Sequence, residues 1–117
     1  MFEIEEDLRG PVRSWLEGRN LVPHDEVQRG GKFVDLLGSE GGIAKVAIEL
    51  KLANWQRALY QATIYTCFAS ECYVAMPESK RHLLERNIGE FVRWGVGVLI
   101  VYQDGLVEQI IPAGVTR

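Results

Sequence analysis

Two kinds of periodicity alternate along the chain, and together they predict a mixed domain of helices and strands. Near the N-terminus, Leu8, Val12 and Leu16 recur at the spacing of one helix face. Gly10-Pro11 interrupts this stretch and predicts a kink or a helix start there. Other segments alternate apolar and polar residues, or are apolar throughout, as strands do. Helices are predicted at 3–18, 54–68 and 78–93, and strands at 21–28, 32–37, 43–51, 72–76, 96–102 and 106–111.

The order of these elements, α-β-β-β-α-β-α-β-β, predicts the fold class. The strands at 72–76 and 96–102 are almost entirely apolar and each follows a helix, as in a sheet that helices cover on both faces. The region 21–51 favours antiparallel hairpins, with turn signals at Gly30-Gly31 and a Gly-rich loop at 38–42. We therefore predict an α/β domain with a mixed central sheet flanked by helices.

Composition and charge limit the class of protein. A chain of 117 residues with 47% hydrophobic and 25% charged residues is typical of one globular domain, here 1–117. Its apolar runs are far shorter than the ~20 residues of a membrane span, and its acid-rich start is unlike a secretory signal. Cys67 and Cys72 lack the spacing of a zinc site or a disulfide framework, so we expect reduced thiols in a cytoplasmic protein. The net charge of −3 argues against strong unaided binding to nucleic acid, unless basic residues gather on one face.

The strand at 43–51 carries the first candidate chemistry. Its alternation places Glu49 and Lys51 on the same face. A Glu and a Lys two residues apart are often a solvated ion pair of little energetic weight. The preceding strand changes that interpretation, because Asp35 is flanked by four apolar residues. A carboxylate in such surroundings is costly unless it is paired or bound to a metal.

The hairpin register decides whether these carboxylates can meet. A symmetric register centred on Glu40 pairs Asp35 with Lys45 and leaves Glu49 roughly 13 Å farther along the strand. A bulge, a strong twist or an asymmetric loop has to close that gap. If it is closed, the carboxylate oxygens suit Mg²⁺ or Mn²⁺, and Lys51 suits a negative charge developing on a phosphodiester.

The spacing of these residues resembles a known signature. Asp35, a 13-residue gap and then Glu49-Leu50-Lys51 resemble the D…(D/E)xK motif of the PD-(D/E)XK phosphodiesterase superfamily. That superfamily includes restriction endonucleases, Holliday-junction resolvases and RecB-type nuclease domains. The element order over 3–76 also resembles its restriction-endonuclease-like core. The chain departs from the motif at the proline of the superfamily's name, because Val34 precedes Asp35.

The helix at 54–68 extends the resemblance. Gln61 and Tyr65 resemble the QxxxY motif of RecB-like members. Asn54, Arg57, Gln61 and Tyr65 lie on one helix face and form a polar stripe. This stripe is either the solvent face of the helix or the lining of a cleft. In the second case Arg57 and Tyr65 would bind the substrate backbone.

The resemblance implies a metal-dependent nuclease. It implies that Asp35 and Glu49 bind Mg²⁺ or Mn²⁺ together with the backbone carbonyl of Leu50. It also implies that Lys51 positions or activates the attacking water, and that Gln61 completes the catalytic set.

Glu5 is a further candidate metal ligand. Its helical angle places it near Val12 and Leu16 on the apolar stripe of the first helix. Superfamily members often place a first-helix glutamate near the metal, so the resemblance implies that role for Glu5. The alternative role is a favourable interaction with the helix N-terminus. Glu26, on the strand before Asp35, is a second choice.

The resemblance also implies partners. DNA is the expected substrate, and small resolvases of the superfamily are homodimers, so we expect a two-fold homodimer. Three Trp, four Tyr and four Phe, and the open edge of the strand at 106–111, favour such an interface. A partner protein could supply sequence specificity. Two other classes stay open: a catalytically inactive nuclease-fold module that binds DNA or protein, and a metal-dependent phosphoesterase of small molecules.

Overall fold

In the part of the chain that the structure describes, residues 2–29 and 31–114, six strands form one mixed sheet with helices on both faces. This structure is a computed structural model. The helices are α1 (Arg9–Gly18), α2 (Trp55–Tyr65), α3 (Arg81–Arg86) and α4 (Ile88–Trp94), with short 3₁₀ helices at Glu5–Leu8 and Glu78–Lys80. The strands are β1 (Val22–Arg29), β2 (Lys32–Glu40), β3 (Ile43–Leu50), β4 (Glu71–Pro77), β5 (Val96–Val101) and β6 (Val107–Ile111). The predicted α/β class and its flanked mixed sheet are confirmed.

The strands lie in the sheet in their chain order, β1 to β6. Strands β1, β2 and β3 are antiparallel, β3, β4 and β5 are parallel, and β6 is antiparallel to β5. Helix α2 connects β3 to β4, and α3 with α4 connects β4 to β5, so the two crossovers place their helices on one face. Helix α1 packs on the other face. Among the described residues, no helix is long and apolar enough to cross a membrane.

Strand β3 divides its side chains between these two faces. Val46, Ile48 and Leu50 are buried in the cluster that includes the apolar residues of α1. Ala47 belongs to a second cluster, which includes Tyr65 at the end of α2. Because successive strand residues point to opposite faces, Glu49 is directed towards the α2 side of the sheet.

The β2–β3 hairpin corrects the predicted register. Its turn consists of Gly41 and Gly42, both with positive φ (58° and 79°), a conformation that glycine adopts without strain. The register then shifts between Gly38 and Ser39, because Lys45 is an extra residue on β3. The symmetric pairing of Asp35 with Lys45 is therefore wrong.

Two helical predictions are also corrected. Helix α1 begins at Arg9, next to the predicted Gly10-Pro11 break, and the residues before it form a 3₁₀ helix. The predicted helix at 78–93 is divided at Asn87, whose Nδ2 donates to the Leu83 carbonyl at 2.8 Å. Such a side-chain bond to the backbone competes with the helical ladder. The turn predicted at Gly30-Gly31 falls partly outside the described residues, because these exclude Gly30.

Candidate active site

Asp35 and Glu49 meet where β2 and β3 separate. Leu36 is paired with Ile48, so the next step of the register sets Asp35 opposite Glu49. At this point Asp35 Oδ2 accepts a hydrogen bond from the Leu50 backbone N–H at 2.9 Å. The Asp35 side chain thus takes the place of a main-chain acceptor for the Leu50 N–H. The bulge at Lys45 also closes the gap that the symmetric register left between Asp35 and Glu49.

Helix α2 holds the Glu49 carboxylate from the other side. Glu49 is only 4% exposed, and its Oε1 accepts a hydrogen bond from the Tyr65 hydroxyl at 2.5 Å. With the Gln61 amide turned so that its nitrogen faces the carboxylate, Gln61 donates to Glu49 Oε2 at 2.5 Å. Gln61 and Tyr65 are four residues apart on one helix face, which explains how both reach the same carboxylate.

Both carboxyl groups are shifted towards their protonated forms. Burial, and then the charge of Asp35, raise the pKa of Glu49 to about 7, against the opposing effects of Tyr65 and Lys51. Burial likewise raises the pKa of Asp35, although the Leu50 N–H and the charges of Arg9 and Lys51 oppose the shift. Two carboxylates that are buried together bind either a proton or a cation more strongly than a single exposed one.

Lys51 and Glu5 act on this pair through their charges. Lys51 is half-buried just beyond β3, and its positive charge lowers the pKa of both Asp35 and Glu49. Glu5 raises both pKa values, so it also lies near the pair. Its predicted position on the apolar stripe of a helix is wrong, because Glu5 is exposed and belongs to the 3₁₀ helix that precedes α1.

The polar stripe of α2 divides into two parts. Asn54 and Arg57 are exposed at its beginning, where Asn54 Oδ1 caps the helix by accepting from the Arg57 backbone N–H at 3.2 Å. Gln61 is half-buried, and Tyr65 is only 2% exposed. The Tyr65 hydroxyl is buried and donates to Glu49. Contact of this side chain with substrate stays a prediction.

Arg9 is a site residue that the sequence analysis missed. It is 9% exposed, and its guanidinium donates to the backbone carbonyl of Asp35. It also forms ion pairs with Glu6 at 2.8 Å, Asp25 at 3.2 Å and Glu26 at 3.4 Å. Arg9 thereby joins α1 to β1 and β2 beside Asp35. Glu26, the second choice as a metal ligand, is engaged in this ion pair.

A sequence signal for Arg9 did exist. Arg9, Val12 and Leu16 are three and four residues apart, so the arginine lies on the buried stripe of the helix. A charged residue on such a stripe needs polar partners inside the fold. Apart from Glu6, these partners come from β1 and β2, and one of them, Glu26, has a positive φ of 49°. The partners themselves were not visible in the sequence.

The donor set has the chemistry of a hard-cation site. Asp35 and Glu49 carry carboxylate oxygens, the type of ligand that Mg²⁺ and Mn²⁺ prefer. A carboxylate offers about four acceptor positions, so the bonds from Tyr65 and Gln61 leave Glu49 able to bind a metal as well. Across residues 2–29 and 31–114, no group of three or more His, Cys, Asp or Glu side chains is arranged to hold a metal. Comparison of the chain with family models and with curated proteins finds no match.

Proposed function

We propose that this protein is a metal-dependent phosphodiester hydrolase that acts on DNA, with a restriction-endonuclease-like fold. One observation carries the proposal: Asp35 and Glu49 lie opposite each other, with raised pKa values, and Lys51 is beside them. The α-β-β-β-α-β order of the first six elements supports it, because the resemblance that the motif carries implies the same order.

The chain's own residues suit the binding of one divalent cation. Asp35 and Glu49 would hold it with the Leu50 carbonyl, and Tyr65 and Gln61 fix the orientation of Glu49. Asp35 is fixed through its bond to the Leu50 N–H. When bound, the cation supplies Lewis-acid chemistry at a phosphodiester and lowers the pKa of a coordinated water.

Two basic residues suit the substrate. The Lys51 ammonium stabilises negative charge that develops on the phosphate, and it positions the attacking water by hydrogen bonding. Arg57 is exposed on the first turn of α2, and its guanidinium has the planar donor geometry that binds phosphate. Glu5 stays a candidate for water or metal contact, because its charge acts on both site carboxylates.

A plasmid-nicking assay tests the proposal. Nicking is expected with Mg²⁺ or Mn²⁺ and not with EDTA, and Asp35→Asn and Glu49→Gln should abolish it. Glu71→Gln is the matched control, because Glu71 also accepts a hydrogen bond from a tyrosine but lies elsewhere in the sheet. Metal-dependent hydrolysis of bis-p-nitrophenyl phosphate without action on DNA would instead indicate small-molecule substrates.

A binding module without catalysis is the second candidate. The net charge of −3 supports it, since it gives little long-range attraction for DNA. Metal binding separates the two candidates. If Mn²⁺ produces no shift of the unfolding temperature in the wild-type protein, the catalytic proposal is contradicted.

The homodimer stays a prediction. Strand β6 is at the edge of the sheet, and an apolar groove of about 510 Å³ between α2 and α4 exposes Tyr60 and Trp94 by 63% and 52%. A second copy that covers these surfaces would also bring two active sites together on one duplex. Light scattering at micromolar concentration should report twice the monomer mass, and a clean monomer would contradict the dimer.

A further inference from the structure

The β1–β2 hairpin ends in a narrow ribbon next to the candidate site. We define the ribbon as residues 27–29 paired with residues 32–34. At about 3.4 Å per residue, Phe33 lies roughly 7 Å and Lys32 roughly 10 Å along the strand from Asp35. One nucleic-acid strand advances about 3.4 Å per nucleotide. The distance from Asp35 to the ribbon along β2 is therefore equivalent to about two to three nucleotides of a strand.

One face of the ribbon carries two positive charges opposite each other. Arg29 and Lys32 are both exposed and form a direct cross-strand pair, an arrangement that destabilises a sheet. Among the described residues, neither side chain forms an ion pair with a carboxylate. The Arg29 guanidinium donates to the Gln28 carbonyl at 3.1 Å. In a chain of net charge −3, this tip keeps unbalanced positive charge that an anionic partner would neutralise.

The other face of the ribbon carries an exposed aromatic ring. Phe33 is 64% exposed, more than any other large hydrophobic side chain of the described residues. Successive strand residues point to opposite faces, so Phe33 lies on the side away from Lys32 and Arg29. The Phe33 carbonyl lies 3.3 Å from the hydroxyl of Tyr65, the residue that also binds Glu49. A hydrogen bond to Phe33 thus connects the ribbon to the tyrosine that binds Glu49.

We propose that the ribbon is a wedge at the junction between paired and unpaired DNA, so that the substrate of this site is a forked or flapped duplex. Phe33 stacks on the last base pair at the junction, since exposed aromatic rings stack on bases of any sequence. Arg29 and Lys32 contact phosphates of the strand that is displaced along the opposite face. Because the Phe33 ring and the two positive charges lie on opposite faces of the ribbon, they suit contacts with the paired end and with the displaced strand of a junction. A continuous duplex does not present these two surfaces on opposite sides of a ribbon. The inference rests on the proposed function, because that function makes the neighbouring site a DNA site.

Fluorescence anisotropy in EDTA tests the wedge without cleavage. We expect the wild-type protein to bind a labelled forked duplex more tightly than a fully paired duplex of the same length. Phe33→Ala should weaken fork binding about tenfold, the scale of one lost stacking contact, and change duplex binding less than twofold. Ile43→Ala is the matched control, because Ile43 is 62% exposed beside the turn of the other hairpin. It should leave both affinities unchanged.

The charged face is tested by salt dependence. For the fork, the double variant Arg29→Gln/Lys32→Gln should reduce the slope of log K against log salt concentration by about 1 to 2, since each lost phosphate contact removes about 0.7 to 0.9. Lys80→Gln/Arg86→Gln removes the same charge at the 3₁₀ helix Glu78–Lys80 and at the end of α3, and should leave that slope unchanged.

Equal wild-type affinity for fork and duplex would overturn the wedge, as would an equal loss on both when Phe33 is replaced. Absence of binding to either DNA would also overturn it, and would favour a protein partner for the tip. The two proposals fail separately. Plasmid nicking without a preference for forks would contradict only the wedge. A preference for forks that depends on Phe33, without any cleavage, would contradict only the proposed nuclease activity.

Discussion

Two buried tyrosines each donate to a glutamate, at opposite ends of the parallel strands β3 and β4. Near the end of β3, the Tyr65 hydroxyl is 2.5 Å from Glu49. At the start of β4, the Tyr73 hydroxyl is 2.8 Å from Glu71. Glu71 also accepts two hydrogen bonds from Arg19, at 3.2 and 3.1 Å. The two pairs thus share one donor type and differ in the charges around them.

The different charges around the two glutamates shift their pKa values in opposite directions. Burial raises the pKa of Glu71, but the hydrogen bonds from Arg19 and Tyr73 outweigh it and hold that pKa below its ordinary value. Glu49 faces Asp35 instead of an arginine, and its pKa is raised to about 7. Glu71 is half-buried and is satisfied within the fold by an arginine, whereas the buried Glu49, beside a second carboxylate, favours an added cation. On the same sheet, the Tyr73–Glu71 pair is therefore structural, whereas the Tyr65–Glu49 pair belongs to the candidate site.

The largest expected effect is on catalysis. Lys51→Ala should reduce DNA nicking by about 100-fold or more, the usual cost of losing one group that stabilises transition-state charge. Thermal-shift titration with Mn²⁺ should still report metal binding, because the ammonium is not a ligand. Lys45→Ala, at the bulge of the same strand, should nick normally. If Lys51→Ala nicks DNA as well as the wild-type protein does, the interpretation of residues 49–51 as a catalytic Glu-x-Lys motif is contradicted.

The next effect is a pH dependence of the free energy of unfolding. The pKa of Glu49 is raised from 4.5 to about 7 on folding, so the folded protein binds more protons than the unfolded chain in that range. The stability contribution of protonated Glu49 is therefore present below pH 4.5 and lost as the pH rises through about 7. Urea unfolding in EDTA should show a loss of about 3 kcal/mol across this window.

Glu49→Gln should flatten that profile. Glu71→Gln should not, because the lowered pKa of Glu71 places its own loss of stability below pH 4.5, as the pH falls. A wild-type profile that rises with pH between 5 and 7 would contradict the raised pKa of Glu49.

A smaller effect distinguishes the two glutamates at constant pH. Glu71→Gln should lower the free energy of unfolding by about 1 kcal/mol, because it weakens a partly exposed ion pair with Arg19. It should leave stabilisation by Mn²⁺ intact. Glu49→Gln should remove most of the Mn²⁺-induced rise in unfolding temperature, since it takes away a ligand. The opposite assignment of these two outcomes would mean that the cation binds at the other end of the sheet.

The smallest effect concerns the tyrosines. Tyr65→Phe removes a hydrogen bond that lowers the pKa of Glu49, so the midpoint of the pH profile should move up by about 0.7 unit, equivalent to about 1 kcal/mol. Tyr73→Phe is the control and should leave that midpoint in place. A midpoint that does not move in Tyr65→Phe would show that the short hydroxyl contact does not stabilise the charged form.

The periodicity of the sequence was enough to predict the element order and to single out Asp35, Glu49 and Lys51. Each of the two carboxylates lies within an apolar strand, and this local signal does not depend on distant contacts. The pairing of their strands was not predictable in the same way. It depends on two left-handed glycines and one extra residue, and several turn geometries were compatible with the Gly-rich loop.

The two ends of α2 show the same limit. The spacing of Gln61 and Tyr65 placed them correctly on one helix face, but only the packing of α2 on the sheet shows that this part of the face is buried. Arg9 shows the same limit for a hydrogen-bond partner. Its burial could be anticipated from helical spacing, whereas its acceptor is a backbone carbonyl that appears in no sequence pattern.

The bulge at Lys45 makes the length of the β2–β3 hairpin part of the site. Inserting or deleting one residue between Leu36 and Ile48 would slide one strand past the other and exchange the faces of its side chains. Asp35 and Glu49 would then be separated even though neither had been replaced. Among descendants of this sequence, the number of residues between the two carboxylates should therefore vary less than the identities of those residues. The turn at Asp104-Gly105 between β5 and β6 is under no such constraint and should accept insertions freely.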